Sequence, residues 1–130
     1  MTLKKLLLAT TAIATLGALA APAFAQPAMT LDAFVTQANR IPLNPLAAIR
    51  PDARRLVGVA NRSFETVRSD ISAARAAGRR PGACPPERIE VNPRQLLAFL
   101  NAIPPARRTR MTVAEGFGEW MASRYPCPAA

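Results

Sequence analysis

Histidine is missing from this chain of 130 residues, and lysine occurs only as Lys4 and Lys5. Without histidine the chain cannot form a Ser–His or Cys–His catalytic pair, and it lacks the commonest metal ligand. Its two cysteines are too far apart for a Cys-x-x-Cys redox motif or a zinc site, and no glycine-rich phosphate loop is present. We therefore predict that the protein is not an enzyme and that it has no cofactor and no metal site.

One acidic pair keeps an enzymatic alternative open. Glu115 and Glu119 lie four positions apart, so both fall on one face of a predicted helix, and glycoside hydrolysis needs two carboxylates. The interpretation that we favour is structural. Glu115 caps the helix, and Glu119 is a surface acid beside Arg124.

Aromatic residues are scarce, at 5% of the chain, with one tryptophan and one tyrosine. Proteins that bind single-stranded nucleic acid stack the bases on aromatic side chains, and this chain also has no lysine cluster. The composition therefore predicts that nucleic acid is not a partner.

The first 25 residues have the pattern of a signal peptide. Lys4 and Lys5 give a positively charged start, an uncharged apolar run follows, and Ala23 and Ala25 place small residues where a signal peptidase reads them. We expect cleavage before Gln26, which leaves one exported domain over residues 26 to 130 with no membrane span. The alternative is an uncleaved membrane anchor, which the small-residue cleavage site disfavours.

The mature chain is strongly basic. Without the two leader lysines, 15 arginines oppose 8 carboxylates, and the formal net charge falls from +9 to +7. Such a balance arises in any GC-rich genome without selection for a partner. The other explanation is an acidic protein partner or an anionic envelope surface.

Cys84 and Cys127 are the only cysteines. An even number of cysteines in an exported protein indicates a disulfide, and a domain of this size has little core to spare without one. We predict a Cys84–Cys127 bond, with two free thiols as the alternative.

Apolar residues recur at helical spacing in four segments, and no strand-length run alternates with a period of two. The fold class predicted is all-α, a small four-helix domain with one disulfide. Thr30 caps the first helix, Pro51 begins the second and longest, and Asn92 caps the third. Thr112 and Glu115 form a capping box at the fourth.

The apolar residues of these helices define the expected core. The fourth helix contributes Phe117 and Trp120. The stripe of the second helix consists of Leu56, Val57, Ala60, Phe64, Val67, Ile71 and Ala74. Between the first two helices, two prolines predict an irregular connection over residues 41 to 50, whose Leu43, Leu46 and Ile49 can still pack into the core.

A basic, proline-braced loop joins the last two helices. It concentrates Arg107, Arg108 and Arg110, which we predict as a contact for an acidic protein partner. The default interpretation of the same residues is a solvated turn.

Four short motifs follow one another in the second half of the chain. They are Cys84-Pro85-Pro86, Val91-Asn92-Pro93-Arg94-Gln95-Leu96-Leu97 with Leu100, Met111-Thr112-Val113-Ala114-Glu115 and Arg124-Tyr125-Pro126-Cys127. In this order they resemble the C-terminal half of the Rap/Tai periplasmic immunity proteins of type VI secretion systems. Upstream, Leu56-Val57-Gly58-Val59-Ala60 resembles the apolar-Gly-apolar helix of that family, so the resemblance spans residues 52 to 127.

The resemblance implies a small, all-helical, often homodimeric protein of the periplasm. Members of the family bind a peptidoglycan-cleaving amidase effector and block it by occlusion rather than by catalysis. The residues leave a second function open: a general envelope binding or chaperone-like module that uses arginine-rich helix faces on anionic material.

Overall fold

The computed structural model describes residues 28 to 129. The predicted signal peptide lies outside the described residues. The helices in chain order are α1 (Leu31–Ala38), a 3₁₀ helix (Pro45–Ile49), α2 (Pro51–Ala76), α3 (Pro93–Ala102), α4 (Pro105–Arg108) and α5 (Val113–Arg124). Across the described residues there is no β-strand, only an isolated antiparallel bridge between Thr30 and Thr112. The all-α fold with one disulfide is confirmed, and α1, α2, α3 and α5 are the four predicted helices.

The predicted caps explain where three of the helices begin. The Thr30 hydroxyl accepts a hydrogen bond from the Ala33 N–H (3.1 Å), and the Asn92 side chain accepts from the first N–H groups of α3. At α5 the Thr112 hydroxyl accepts from the Glu115 N–H (3.1 Å), while the Glu115 carboxylate accepts from the Thr112 N–H (2.8 Å). These bonds satisfy backbone donors that have no partner inside the helix.

The core lies where α2 and α5 pack against each other, with α1 and α3 closing its sides. Phe117 is fully buried, Trp120 is nearly so, and an aromatic cluster with Phe34 and Phe64 surrounds them. The prediction that Phe117 and Trp120 are core residues is therefore confirmed.

Gly116 allows α1 to approach α5. A Cβ atom at this position would lie 2.6 Å from Cδ2 of Leu31, which is itself completely buried. The contact between the two helices therefore requires the absence of a side chain at residue 116.

The disulfide joins Cys84, in the loop before α3, to Cys127, just after α5, with the two Cα atoms 4.8 Å apart. The Cys84 N–H also donates to the Tyr125 carbonyl oxygen (2.9 Å), and Arg80 donates to the Cys127 carbonyl oxygen (3.2 Å). The predicted pairing is confirmed, and it closes the ends of the α3–α5 region.

Two expected connections contain short helices instead. Residues 45 to 49 form a 3₁₀ helix, because Pro45 fits its first turn and the Asn44 side chain accepts from the Ala47 N–H (2.9 Å). The basic loop contains the single turn α4. The irregular connection predicted for residues 41 to 50 was therefore wrong over residues 45 to 49.

The large apolar side chains of this connection were expected in the core, but they face solvent. Ala47 is buried, whereas Leu43, Leu46 and Ile49 are exposed. A 3₁₀ helix has three residues per turn, so Leu46 and Ile49, three apart, lie on the same side, and that side faces solvent. The expected packing of these residues into the core was wrong.

Candidate protein-binding surface

Arg108, predicted as a partner contact, makes several bonds within the protein. Its side chain is only 13% exposed, and Nε donates to Asp32 Oδ1 of α1 (3.1 Å). Its Nη1 donates to the carbonyl oxygens of Asn101 and Ile103 at the end of α3, both at 3.1 Å. The guanidinium therefore links α1, α3 and α4, and it occupies carbonyl groups that the helix end leaves without partners.

Arg107 and Arg110 are more exposed than Arg108. Arg107 forms an ion pair with Glu119 of α5, and Arg110 Nε donates to the Ala106 carbonyl oxygen (3.1 Å). Glu119 lies at the surface, as expected, and its ion-pair partner is Arg107. The role of the loop arginines as a partner contact remains a prediction.

Large hydrophobic side chains are exposed at four of the described positions, all within residues 43 to 57. These are Leu43 (43% exposed), Leu46 (77%), Ile49 (75%) and Val57 (56%). We call these four side chains the apolar strip. Val57 belongs to the predicted core stripe of α2, but it follows the buried Leu56 by one residue and is therefore rotated by about 100° from it.

A groove of about 1130 Å³ runs beside the strip, between the 3₁₀ helix, the first half of α2 and the start of α3. Leu43 and Val57 line the groove, whereas Leu46 and Ile49 lie outside its lining. Its other large apolar residues are Phe34, Ile41, Leu56, Phe64, Val91, Leu96, Leu97 and Leu100. Leu43 and Val57 belong both to the strip and to the groove lining, so the strip and the groove adjoin at these two residues.

The charges around the groove are mostly positive. Arg94, Arg124 and Glu90 are the charged residues of its lining, and none of them forms an ion pair with a described residue. Arg54 is exposed one turn before Val57 on α2 and is likewise outside the ion pairs of the described residues. The apolar surface therefore has a basic border.

An ion pair follows the end of the 3₁₀ helix. Arg50 Nη2 lies 2.9 Å from Asp52 Oδ2, and Arg50 Nε lies 3.2 Å from Asp52 Oδ1. Desolvation raises the pKa of Asp52, but hydrogen bonds from Arg50 and from the Ala53 N–H outweigh it and hold the pKa below its usual value. The 3₁₀ helix is thus held by the Asn44 cap at its start and by this pair just after its end.

Neither a membrane-spanning helix nor a metal-ligand cluster occurs in the described part of the chain. No helix between residues 28 and 129 has the length and hydropathy needed to cross a bilayer, and no three His, Cys, Asp or Glu side chains are grouped there as metal ligands would be. Comparison with known proteins gives no match to any family model, curated protein or solved structure.

Proposed function

We propose that the mature chain is a non-enzymatic periplasmic binding protein, an immunity protein that inhibits a peptidoglycan amidase delivered by a type VI secretion system. The observation that carries the proposal is the apolar strip beside a groove, on a helical domain closed by a disulfide. The resemblance of residues 52 to 127 to the Rap/Tai family supplies the class of partner.

The strip supports binding because large apolar side chains gain free energy when a partner covers them. Burial of one leucine or isoleucine side chain is worth about 2 kcal/mol. Leu46 and Ile49 remain mostly in water although the chain places fourteen other apolar side chains in one buried cluster. A contiguous apolar patch with a polar or charged border is typical of a protein–protein contact.

Inhibition by occlusion requires a rigid surface, since a partner's active site is closed only if the covering protein keeps its shape. The disulfide, the α5 capping box and the Arg108 bonds each fix the scaffold without using the strip. A preformed surface also loses less conformational entropy when it binds.

Co-expression tests the proposal directly. The full chain, with its leader, is produced together with each peptidoglycan amidase encoded beside its gene and directed to the periplasm. We expect growth to be restored for one of these amidases, and we expect purified mature protein to stop its release of peptidoglycan fragments at a stoichiometric ratio.

A chain without residues 1 to 25 is the matched control, because it stays in the cytoplasm and should give no protection. The proposal fails if none of the amidases is toxic, or if lysis and hydrolysis continue unchanged in the presence of the exported protein.

The arginine surplus favours a second function, general binding to anionic envelope material. Three of the fifteen arginines form ion pairs among the described residues, namely Arg50, Arg107 and Arg108, which leaves twelve outside such pairs. Binding through exposed arginines should weaken steeply as salt rises, since the Debye length falls from about 10 Å at 0.1 M to about 3 Å at 1 M. Capture of a single protein at one-to-one ratio that persists in high salt would reject this second function.

A further inference from the structure

We infer that the apolar strip and its groove are the docking site for an acidic, apolar segment of the partner protein. The inference rests on the proposed function and adds to it a site and the chemistry of the segment that the site accepts. It places recognition on residues 43 to 57 and the start of α3, and not on Arg107, Arg108 and Arg110 in the loop that contains α4.

The extent of the apolar surface indicates a polypeptide rather than a small ligand. A small molecule that filled the groove would cover Leu43 and Val57, but Leu46 and Ile49 lie outside the groove lining and would stay in water. A segment of a protein, such as an amphipathic helix, can fill the groove with one side chain and cover the adjoining strip with the next.

The border of the surface indicates the charge of that segment. Arg94 and Arg124 line the groove against the single acid Glu90, and Arg54 is exposed beside Val57. Carboxylates on the rim of an incoming segment would meet these guanidinium groups, which favours encounter with an acidic partner and disfavours a basic one.

The same charges disfavour a second copy of this chain as the occupant. In a two-fold symmetric dimer the same patch faces itself, so Arg54, Arg94 and Arg124 of both copies would be brought together. A flat bilayer fits less well than a segment, because it covers a protruding strip but does not fill a groove.

The surface is built before the partner arrives. Ala47 is buried and the 3₁₀ helix contacts α2. The Asn44 side chain caps the 3₁₀ helix, and the Arg50–Asp52 pair follows its last residue. The strip is therefore already ordered in the folded protein, so binding does not have to pay the conformational entropy of ordering it.

Two synthetic peptides test the inference. Each is a helix of about four turns with the same stripe of leucine and phenylalanine, and the remaining face carries glutamate in one peptide and lysine in the other. Binding to the mature, disulfide-bonded protein is measured by fluorescence anisotropy in salt of about 0.15 M. The contact surface is mapped from amide chemical shifts by NMR.

We expect the glutamate peptide to bind at least about tenfold more tightly than the lysine peptide, and to shift amides in residues 43 to 57 and 91 to 97. Ile49→Asp should weaken its binding by about tenfold or more. The control Ser69→Asp adds the same charge at an exposed position of α2 outside the groove and should change binding by less than about twofold.

Equal binding of the two peptides, amide shifts confined to other surfaces, or the absence of saturable binding overturns the inference. Dimerisation in sedimentation that Ile49→Asp abolishes assigns the strip to a second copy instead. Binding to phosphatidylglycerol vesicles that requires Ile49, without binding of the glutamate peptide, assigns it to a membrane surface.

Amidase inhibition by the same variants separates this inference from the proposed function. If the native protein inhibits an amidase and Ile49→Asp inhibits it equally well, the docking site is wrong and the function stands. If the glutamate peptide maps to the groove but no amidase is inhibited, the docking site stands and the function fails.

Discussion

Two regions of this domain differ in the exposure of their apolar side chains. In the region closed by the disulfide, α3 and α5 bury theirs, and Leu100, Phe117 and Met121 are completely covered. In the segment from residue 43 to residue 57, four large apolar side chains remain exposed, although Ala47, Ala53 and Leu56 between them are buried. The difference separates the helices that build the core from the stretch that we propose for recognition.

The largest expected effect on the stable region comes from removal of the disulfide. Cys84→Ser should lower the free energy of unfolding of the mature domain by about 4 kcal/mol, because the bond closes a loop whose entropy it removes from the unfolded chain. Chemical denaturation measures this loss. Reductant should destabilise the native protein and leave the variant unaffected, and an unchanged melting temperature in the variant would contradict the role of the bond.

A smaller effect is expected at the close contact between α1 and α5. Gly116→Ala places a methyl group against Leu31 and should cost about 2 kcal/mol through overpacking. The matched control is Gly118→Ala on the same helix, where the nearest atom to the new Cβ is Val67 Cγ2 at an ordinary 3.9 Å. Thermal unfolding should show loss at residue 116 and none at residue 118. Equal changes in stability at both positions would show that the change in helix propensity, and not the contact with Leu31, determines the effect of Gly116→Ala.

A smaller loss is expected where Arg108 links three helices. Arg108→Ala should cost about 1.5 kcal/mol, because it leaves Asp32 and two carbonyl groups at the end of α3 without their charged donor. Arg110→Ala, which removes an exposed guanidinium from the same loop, should change stability by less than about 0.5 kcal/mol. If the two variants unfold at the same denaturant concentration, the bonds of Arg108 do not stabilise the fold.

The smallest effect is expected beside the strip, at the Arg50–Asp52 pair. Because the pKa of Asp52 is lowered in the folded protein, its stabilising contribution is present above the pKa of the unfolded chain. That contribution disappears as the pH falls through the folded pKa. Asp52→Asn should therefore be slightly less stable than the native protein at neutral pH, with the difference vanishing in acid. A difference that grows on acidification would contradict the direction of the shift.

Much of the stable region could be predicted from local sequence. Helix starts depend on a few neighbouring residues, so Thr30, Asn92 and the Thr112–Glu115 pair identify them correctly. The disulfide was predictable because the chain contains only two cysteines. The core face of α2 and α5 follows from helical spacing, and Val57 was wrongly included because it lies at the edge of that face.

The exposure of the strip could not be predicted from the sequence, because apolar residues in a proline-rich connection look like core residues. The three-residue spacing of Leu46 and Ile49 fits a 3₁₀ helix, but spacing alone does not say which side faces solvent. The side that faces solvent follows from the burial of Ala47 and from the contacts of the 3₁₀ helix with α2. The contacts of the loop arginines were also beyond local reasoning, since Arg108 bonds to Asp32 at a sequence separation of 76.

The central claim is that the strip serves recognition and not folding, and one pair of leucine truncations tests it most directly. Leu100→Ala, in the core, should lower the free energy of unfolding by about 3 kcal/mol. Leu46→Ala should change it by less than about 0.5 kcal/mol, yet weaken binding of the glutamate peptide. A loss of stability from Leu46→Ala as large as that from Leu100→Ala, or unchanged peptide binding by Leu46→Ala, would contradict the claim.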